Sequence, residues 1–517
     1  MKVTDKTLMG RKTITTVLFV VVFTGISLSI HLIGIDLPWR GHLDSIGTFN
    51  VYAADAALKY GIIHTKLAYV NSAGPHEPDE LDLRLTHPSF IVVWLIPFRA
   101  ILGTGEWTAR LAAVFLSIGL IIVTYLLSRL IMDVWGARMA LIIASLLPME
   151  AYWGRLPSEE LAAAFLVTIS VYFYVLRAKR EKALFSALFF IFHFFAAMAN
   201  WVSYLLPVAL IIVEFISGRK SYRLAFTALV LNFVYFALFL LQAYFIGGTA
   251  ALAKLLGKGE VQSFFGIGDV SGALFSIGVQ VVLCFTIPLC ILAGMYIYLL
   301  FRRPCREMGG RDASDRFNFA VPAIFLFTFI FFNGAFLNYI NRCIVSLHML
   351  TPFFVLSAGI LVSKKVARNR RFFISWIILI IIVVQLVFFL DRRFSQQNGY
   401  PVDYAVSTGI SSSTNISDRI LTHMWVLHYY YQYYCDRDIL FRIDTIEKFE
   451  SAMDAGAPTT YVALDIDSFM ASEPLVAKDR ELFARENSMR IEPELLSYLM
   501  EKFPSHRESY FIIFDLR

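Results

Sequence analysis

The sequence predicts an all-α polytopic membrane protein with a small α/β soluble domain at its C-terminal end. Of the 517 residues, 57% are hydrophobic and only 17% are charged, whereas soluble globular proteins contain about 25% charged residues. Apolar runs of about 20 residues, the length that crosses a bilayer as a helix, recur along the first four-fifths of the chain. From Asp391 onward the composition changes to charged residues, turn residues and short β-rich runs, as expected of a folded soluble domain.

The first apolar segment resembles a membrane anchor. Residues 1–12 are short and basic, and Ile14 to Ile35 form the first predicted span. No small-residue cleavage site follows, so we interpret this span as a retained signal anchor. Because Lys and Arg residues are enriched on the cytoplasmic side of membrane proteins, the N-terminus is predicted to be cytoplasmic.

The segment Pro88–Leu102 decides the topology. It is apolar but short for a crossing helix, which needs about 20 residues. If it stays on the outer side, the loops assigned to the cytoplasm hold roughly twice as many Lys and Arg residues as the outer loops, in agreement with the positive-inside rule. We therefore predict an interfacial or re-entrant helix here. The chain then has about 11 transmembrane helices, and its C-terminal domain lies outside the cell membrane.

This topology divides the chain into two domains. Residues 1–391 form the transmembrane domain, and its first outer loop, 36–106, carries interfacial helices that include Asp44 to Tyr60. Residues 392–517 form the extracytoplasmic α/β domain. Hydrophobic patterns and turn residues predict two helices and two strands in that domain, namely Asp444–Ala455, Glu494–Lys502, Tyr461–Leu464 and Tyr510–Phe514.

The composition also limits the function classes. The formal net charge of +6 comes from basic residues in short loops between apolar runs. This distribution fits membrane topology, and no nucleic-acid partner is expected. The five Cys residues have irregular spacing that matches no metal or redox motif. Membrane lipids are therefore the expected surroundings of most of the chain.

Asp44 is the first candidate catalytic residue. It follows the first span, in the stretch from Gly41 to Ser45. A carboxylate at the membrane surface can take a proton from an acceptor hydroxyl or bind a cation. The same position also suits the N-cap of the following helix, so the residue pattern alone leaves both interpretations open.

A second candidate site is the short outer loop from Arg155 to Glu160. Ser158 is expected to cap the next helix, and Glu159 and Glu160 then occupy its first turn, where acids complement the helix dipole. Interaction with the helix dipole would by itself explain the presence of either acid. Because the loop is predicted on the same side of the membrane as Asp44, acids from two loops converge on one face.

One arginine and two histidines are candidate substrate ligands. Arg342 lies in an outer turn with no nearby acid, which suits either a lipid phosphate or an interface anchor. His87 precedes Pro88 at the start of the predicted interfacial helix, where it could face a substrate. His348 lies deeper in a predicted span, where a packed core histidine is the default interpretation.

Three groups of acids have structural interpretations. The stretch from His76 to Asp82 is more typical of a solvated loop than of a divalent-cation site, because it lacks the fixed spacing of a metal loop. Glu150 and Glu214 lie near the ends of predicted spans and are expected to reach the interface.

These motifs, in this order, resemble the GT-C superfamily of membrane glycosyltransferases, especially its protein O-mannosyltransferase and aminoarabinose-transferase-like branch. The resemblance covers roughly residues 10–390, and a C-terminal soluble domain of that family fits the rest. The matching stretches are Asp44 to Gly61, His87-Pro88-Ser89-Phe90, Gly105 to Leu111, Arg155 to Glu160 and Arg342 to Pro352.

The chain departs from the family pattern in three places. Asp44 is followed by Ser45, where the family commonly has Glu, and Ser89 replaces the second Pro of a His-Pro-Pro motif. The second loop carries two acids, so the sequence does not decide between Glu159 and Glu160 as the family's acid. We favour Glu160 slightly, because it lies one residue further into the helix.

The resemblance implies transfer of a sugar from a polyprenyl (dolichyl or undecaprenyl) phosphate donor to a protein, glycan or lipid acceptor at the extracytoplasmic membrane face, with inversion. It implies that Asp44 is the general base and that Glu160 or Glu159 positions the substrate or a cation. The implied substrate-binding residues are Arg342, Arg155, His87 and His348. No cofactor is certain. A divalent cation, Mg²⁺ or Mn²⁺, stays open, with Asp44 and Glu160 as its candidate ligands.

Two other classes stay open from the sequence. A transporter or flippase of lipid-linked glycans would also be polytopic, but such proteins often show repeated spans and charges within the spans. No repeat of the spans is apparent here, and few charges lie within them. A membrane scaffold that presents the C-terminal domain is the third interpretation.

Overall fold

The computed structural model of the protein describes most of the chain. The described residues are 3–39, 44–70, 76–85, 87–219, 221–262, 270–302, 313–335, 344–364, 368–398, 402–415, 418–422, 433–435, 438–441, 445–453, 459–464, 493–507 and 511–516.

The chain forms two compact units. The membrane unit comprises Met1–Asp36 and Leu85–Leu390, and the second unit comprises Leu37–Arg84 and Asp391–Arg517. The sequence pattern assigned the whole first outer loop to the transmembrane domain, whereas compact packing groups residues 37–84 with the C-terminal residues. The domain division drawn from the sequence stays a prediction.

Helices dominate the described part of the chain. In chain order they are α1 (Val3–Leu32), α2 (Asp44–Tyr60), α3 (Ile62–Thr65), α4 (Phe90–Leu102), α5 (Glu106–Ile131), α6 (Val134–Leu146), α7 (Glu159–Arg180), α8 (Ala183–Ala197), α9 (Leu206–Ser217), α10 (Arg223–Gln262), α11 (Val270–Phe285), α12 (Ile287–Arg302), α13 (Ala313–Ala320), α14 (Pro322–Ala335), α15 (Thr351–Lys364), α16 (Arg368–Asn398), α17 (Val402–Ser413), α18 (Ile446–Met453) and α19 (Pro493–Lys502). Turns of other pitch lie between them, namely a π-turn at Met149–Trp153 and 3₁₀ turns at Pro78–Glu80, Trp201–Leu205 and Ile344–Leu350.

Several helices have the length and composition of membrane spans. Within the described residues, five segments qualify, or up to seven if each of two bent helix pairs counts as one span. The five are Ile14–Leu32, Glu106–Ile131, Glu159–Arg180, Arg223–Ala253 and Ile344–Ser363. A multi-pass helical membrane protein is thereby confirmed. The number of 11 spans stays a prediction, because α6, α8 and α9 are only 13, 15 and 12 residues long.

Helix α4 is the segment that decided the predicted topology. It has 13 residues, so it is about 20 Å long against a hydrocarbon core of about 30 Å. Its Arg99 is buried and donates hydrogen bonds to the Gly105 carbonyl at 2.7 Å and to Thr108 Oγ1 at 3.0 Å. These bonds tie the end of α4 to the start of α5. Its length agrees with the prediction that this segment does not cross.

In the second unit, α2 packs against a small hairpin. The ring of Phe49 stacks on Tyr69 with centroids 4.1 Å apart. Tyr69 lies in β1 (Tyr69–Val70), which pairs antiparallel with β2 (Leu83–Arg84). The helix predicted from Asp44 to Tyr60 is confirmed. It ends before Gly61, whose φ of 88° is a backbone conformation that favours glycine.

The C-terminal residues form a five-stranded mixed sheet. Its strands are β3 (Arg419–Thr422), β4 (Asp438–Phe441), β5 (Thr459–Leu464), β6 (Ser505–Arg507) and β7 (Phe511–Asp515), in the order β4-β3-β5-β7-β6. β3 runs parallel to β4 and β5, whereas β7 is antiparallel to β5 and β6. Helices α18 and α19 contribute Phe449, Leu495 and Leu499 to the core. The predicted helices and strands are confirmed with small shifts of their ends, and Pro493 is the first residue of α19.

Candidate active site

The second loop runs from the π-turn to the start of α7. Ser158 is the N-cap of α7, since its hydroxyl accepts the backbone N–H of Leu161 at 3.2 Å, as the sequence predicted. Glu159 and Glu160 follow in the first helical turn and are only 4% and 5% exposed. Both carboxylates therefore lie where the positive end of the helix dipole favours them. A π-turn inside a helical region is rare and occurs often at functional sites.

A buried hydrogen-bond network anchors the π-turn. Glu150 is fully buried; its Oε2 accepts the hydroxyl of Ser117 at 2.7 Å and its Oε1 accepts the hydroxyl of Thr351 at 2.8 Å. His31 Nε2 lies 3.0 Å from the same Ser117 hydroxyl. His31 Nδ1 donates to the Ser27 carbonyl at 2.7 Å. The network thus joins α1, α5, the π-turn and α15, so the expectation that Glu150 reaches the interface is wrong.

The protons of this network can be counted. Ser117 has one hydroxyl proton and cannot donate to both His31 and Glu150. Either His31 carries a second proton opposite an ionised Glu150, or a protonated Glu150 donates to Ser117, which donates to His31. Both arrangements are neutral overall, which makes burial tolerable. Glu150 lies outside the candidate spans; burial raises the pKa of its carboxyl, and the hydrogen bonds from Ser117 and Thr351 oppose that shift.

Gly154 closes the turn over this network. Its φ of −66° and ψ of −5° suit any residue, but the space does not. A Cβ there would lie 2.4 Å from the Glu150 carbonyl oxygen, 2.4 Å from Ser117 Oγ and 2.6 Å from His31 Nε2. Only a hydrogen fits at this position, so the sequence needs glycine here for close packing.

We expect Gly154→Ala to destabilise the membrane unit by about 1–3 kcal/mol, because an added methyl group in a packed interior forces its neighbours apart. Thermal unfolding of the purified protein in detergent would measure the change. Gly25→Ala is the matched control, because a Cβ at Gly25 meets nothing within 4 Å. An unchanged midpoint in Gly154→Ala would contradict the close packing of the network.

Two arginines hold the end of the first span. Arg155 Nη1 donates to the Ile33 carbonyl at 2.5 Å, and Arg110 Nη1 donates to the Ile35 carbonyl at 2.9 Å. The Arg155 guanidinium also lies over the ring of Tyr152, 5.3 Å from its centroid. Ile33 and Ile35 lie in the turn that follows α1, and these bonds give their carbonyls side-chain donors. Arg155 therefore has a structural role here, and its predicted contact with a donor phosphate stays a prediction.

A cavity lies at the start of α7. It is small and partly open, with a volume of about 10 Å³, enough for about one water molecule. Its lining residues are Glu160, Asn200, Val202, Phe329, Phe332, Asn333, Ser346 and Met349. They come from four elements of the membrane unit: the first turn of α7, the 3₁₀ turn after α8, one face of α14, and the 3₁₀ turn before α15. Glu160 lines this cavity, whereas Glu159 is not among its lining residues.

None of the other described candidate residues is among the lining residues of this cavity. Asp44 begins α2 in the second unit and is 8% exposed. His87 lies just before α4 and is partly buried. His348 is fully buried; its Nδ1 donates to the Val345 carbonyl at 2.9 Å, and its Nε2 has no hydrogen-bond partner among the described residues. Arg342 lies outside the described residues.

The carboxylates do not form a metal cluster in the described part of the chain. No group of three or more His, Cys, Asp or Glu side chains there could hold an ion. In the acidic stretch, Asp79 lies 3.6 Å from His64, and its side chain is 96% exposed. The divalent cation predicted at Asp44 and Glu160 stays a prediction, and the mechanism below includes no step at a metal.

Sequence reasoning missed several polar residues of the site. Asn200, Asn333 and Ser346 line the cavity, yet each is a single neutral residue within an apolar stretch. The only sequence signal for such a residue is that a polar side chain interrupts an apolar stretch. That signal does not distinguish a site residue from a packed one. Ser117 and Thr351, which bond Glu150, are likewise single neutral residues within apolar stretches.

Comparison with known proteins gives the fold class. No protein-family model matches the sequence, and no curated protein matches it. The solved structure of ArnT from Cupriavidus metallidurans bound to undecaprenyl phosphate matches with a TM-score of 0.62 and 12% identity, over 96% of this chain and 97% of that chain. The oligosaccharyltransferase AglB from Archaeoglobus fulgidus, in complex with an inhibitory peptide and a dolichol-phosphate, matches with a TM-score of 0.57 and 13% identity, over 88% of this chain and 70% of that chain.

Both matched proteins are GT-C membrane glycosyltransferases. At these identities the likeness concerns the fold, which extends over nearly the full length of both this chain and ArnT. The chain has the GT-C fold, and the resemblance drawn from its motifs is confirmed at that level.

Proposed function

We propose that the protein is a glycosyltransferase that moves a sugar from a polyprenyl-phosphate donor to a protein, glycan or lipid acceptor at the extracytoplasmic membrane face. The observation that carries the proposal is the full-length fold likeness to ArnT, whose structure holds undecaprenyl phosphate. The likeness to an oligosaccharyltransferase solved with a dolichol-phosphate supports the same donor class. The buried acid Glu160, which lines a small cavity in the membrane unit, gives that fold a candidate residue for chemistry.

The reaction is a displacement at the anomeric carbon of the donor sugar. The acceptor hydroxyl oxygen forms the new bond, and the bond between the anomeric carbon and the phosphate oxygen breaks. Polyprenyl phosphate leaves with the electron pair, and the sugar inverts its configuration. Asp44 takes the acceptor proton as general base, because a carboxylate at hydrogen-bond reach can accept it during the attack.

The remaining candidates serve binding. Glu160 accepts hydrogen bonds from the substrate, and Glu159 is the second choice for this role. Arg342 binds the donor phosphate through its planar fork of N–H donors, and Arg155 and His87 assist. His348, the last of these binding candidates, is fully buried and directly precedes the lining residue Met349.

Sugar transfer by the purified protein tests the proposal. The protein in nanodiscs is given undecaprenyl phosphate carrying a radiolabelled sugar together with an extract of the acceptor pool. Transfer of label to protein, glycan or lipid, with release of undecaprenyl phosphate, supports an enzyme. Flux of lipid-linked sugar across a sealed vesicle without transfer would support the transporter alternative, which neither the fold nor the site favours.

The proposed topology predicts the result of cysteine labelling. Asp44, Glu160 and Asp403 are predicted outside, and Arg180, Arg306 and Lys365 inside. A cysteine at Asp403 should react with an impermeant thiol reagent added outside intact cells, whereas Asp44 and Glu160 are too buried to serve as labelling positions. Cysteines at Arg180, Arg306 and Lys365 should react only after permeabilisation. The expectation follows from the excess of basic residues in the loops assigned to the cytoplasm. Outside labelling at position 180 would contradict it.

A further inference from the structure

A buried carboxylate lies where several segments of the membrane unit meet. Glu150 belongs to the π-turn at Met149–Trp153 and is fully buried. An apolar side chain of similar size would fill the same space, and replacing buried charged or hydrogen-bonded groups by apolar ones is often neutral or stabilising. Packing alone therefore does not explain a carboxylate at this position.

The Glu150 carboxylate connects the second loop to two helices. One oxygen accepts the hydroxyl of Ser117 in α5, and the other accepts the hydroxyl of Thr351, the first residue of α15. Thr351 directly follows the 3₁₀ turn Ile344–Leu350, and Arg342 precedes that turn in the sequence. Two hydroxyl groups on separate oxygens fix both the position and the rotation of the carboxylate. The π-turn is thereby held at a defined place between α5 and α15.

The chain from the π-turn to Glu160 is packed tightly enough to transmit this position. Every residue from 147 to 160 is buried, and close-packed interiors transmit displacements. Gly154 donates its N–H to the Glu150 carbonyl at 2.9 Å, and a Cβ at Gly154 would clash with the polar network. Ser158 then caps α7, and Glu160 stands in the first turn of that helix. A shift of the π-turn would therefore move the Glu160 carboxylate.

We propose that Glu150 is a positioning residue for sugar transfer, which holds the Glu160 carboxylate in place through the π-turn. It acts through its hydrogen bonds to Ser117 and Thr351 and does not itself touch the substrate. The inference rests on the proposed function and adds one residue to it. The bonds carry this role and the negative charge does not, because a protonated Glu150 can donate to Ser117 while Ser117 donates to His31.

Two substitutions of Glu150 separate its hydrogen bonds from its packing. Glu150→Gln keeps the contacts, because its amide can donate to Ser117 and its carbonyl oxygen can accept the Thr351 hydroxyl. It should transfer sugar at a rate close to wild type. Glu150→Met keeps a similar volume without the bonds, and its kcat should fall about 10–100-fold, because a misplacement of about 1 Å can cost 10²-fold in rate. Both variants are assayed as full-length protein in nanodiscs, with undecaprenyl phosphate carrying a radiolabelled sugar and the acceptor extract.

Unfolding temperatures measured in parallel separate positioning from stability. Both Glu150 variants should unfold close to the wild-type temperature. In Glu150→Met the Ser117 hydroxyl can donate to His31, and the Thr351 hydroxyl can donate to a carbonyl of the preceding turn. A slow Glu150→Met variant with a wild-type unfolding temperature would show that the bonds serve the reaction.

The Thr351 bond allows an independent test. Thr351→Val removes the hydroxyl and keeps the branched shape, whereas Thr351→Ser keeps the hydroxyl. Thr351→Val should reduce kcat about tenfold, the effect of one lost hydrogen bond, and Thr351→Ser should stay near wild type. Thr168→Val is the matched control, since Thr168 is equally buried and its hydroxyl donates to the Ala164 carbonyl of its own helix at 2.6 Å. Thr168→Val should leave transfer unchanged.

A double variant tests whether Glu150 acts through Glu160. In that case Glu150→Met slows transfer in the wild-type background but not in the Glu160→Gln background, because the group that it positions is already lost. Independent effects would multiply. Multiplied losses would overturn the inference, since Glu150 would then serve something other than Glu160.

Hydrogen exchange of the second loop gives a readout that needs no sugar transfer. Peptides covering residues 149–161 should exchange faster in Glu150→Met and in Thr351→Val than in wild type, because local opening becomes easier when the bonds are lost. Exchange in Glu150→Gln should match wild type. Unchanged exchange in Glu150→Met would overturn the inference whether or not the protein transfers sugar.

The outcomes distinguish this inference from the proposed function. A wild-type protein that transfers no sugar would contradict the proposed function, and hydrogen exchange would still decide whether the Glu150 bonds order the loop. An active wild-type protein with an unchanged rate in Glu150→Met would overturn the positioning role alone. A loss in Glu150→Gln as large as that in Glu150→Met would also overturn it, because the charge would then be required.

Discussion

Replacing Asp44 by Asn is expected to reduce sugar transfer about 10²–10⁴-fold, the usual effect of losing a general base. Asn keeps the size and hydrogen-bonding capacity of Asp, but it cannot take a proton at neutral pH. Donor binding and folding should stay close to wild type, because no bulk is added or removed. Steady-state transfer rates, together with an unfolding temperature, would measure both parts of the expectation.

The Asp44→Asn substitution distinguishes two roles of Asp44, general base and helix cap. The residue opens α2 and is largely buried, so a helix-capping role is also consistent with its position. Asn caps helices about as well as Asp. If Asp44 only stabilises the helix start, Asp44→Asn transfers sugar at the wild-type rate. That result would remove the base assignment and make Glu160 the leading candidate.

Asp133 provides the matched control for capping. It is the N-cap of α6, where its side chain accepts the Gly136 N–H at 2.7 Å. Asp133→Asn replaces a capping carboxylate by an amide at a place without a proposed catalytic role. It should leave both transfer and stability nearly unchanged. A loss of transfer in Asp133→Asn similar to that in Asp44→Asn would attribute both losses to helix stability.

The sequence predicted the elements that depend on composition and local pattern. The membrane class follows from long apolar runs, and α4 was predicted not to cross because it is short and because crossing would reverse the charge bias. Helix α2 ends at a glycine and α19 begins at Pro493, and both signals act within one turn of the chain. Such features are local, so one sequence contains them in full.

The polar interior could not be predicted in the same way. His31, Ser117, Glu150 and Thr351 lie far apart in the chain and meet only because their helices pack together. The residues next to each of them in the sequence are mostly apolar. The local sequence therefore does not show which of these polar side chains contact each other. Glu150 illustrates the error, because an acid near the end of a predicted span is equally compatible with the interface and with a buried partner.

The two departures from α-helical pitch could not be predicted from the sequence either. The apolar stretch around Ile344–Leu350 reads as the continuation of a regular span, yet it winds as a 3₁₀ turn. The π-turn at Met149–Trp153 follows Pro148 and has no distinctive local pattern. Tertiary contacts stabilise both turns, and both place side chains of the candidate site.

Glu160→Gln is expected to reduce transfer about 10²–10³-fold, the range found when a preorganised polar group is removed from an active site. Glu159→Gln should remain near wild type. The two acids are adjacent, almost equally buried at 5% and 4% exposure, and both lie in the first turn of α7. Loss of charge near the helix dipole therefore affects both variants alike.

The difference between the two variants isolates the cavity, because Glu160 lines it and Glu159 is not among its lining residues. Transfer rates should be measured at several donor concentrations, and unfolding temperatures should be measured in parallel. Equal unfolding temperatures with unequal rates would show that Glu160 acts through the substrate. If both variants lose transfer equally, the acids serve the helix start and not the cavity. A larger loss in Glu159→Gln would assign the second-loop acid to Glu159, which the sequence alone left open.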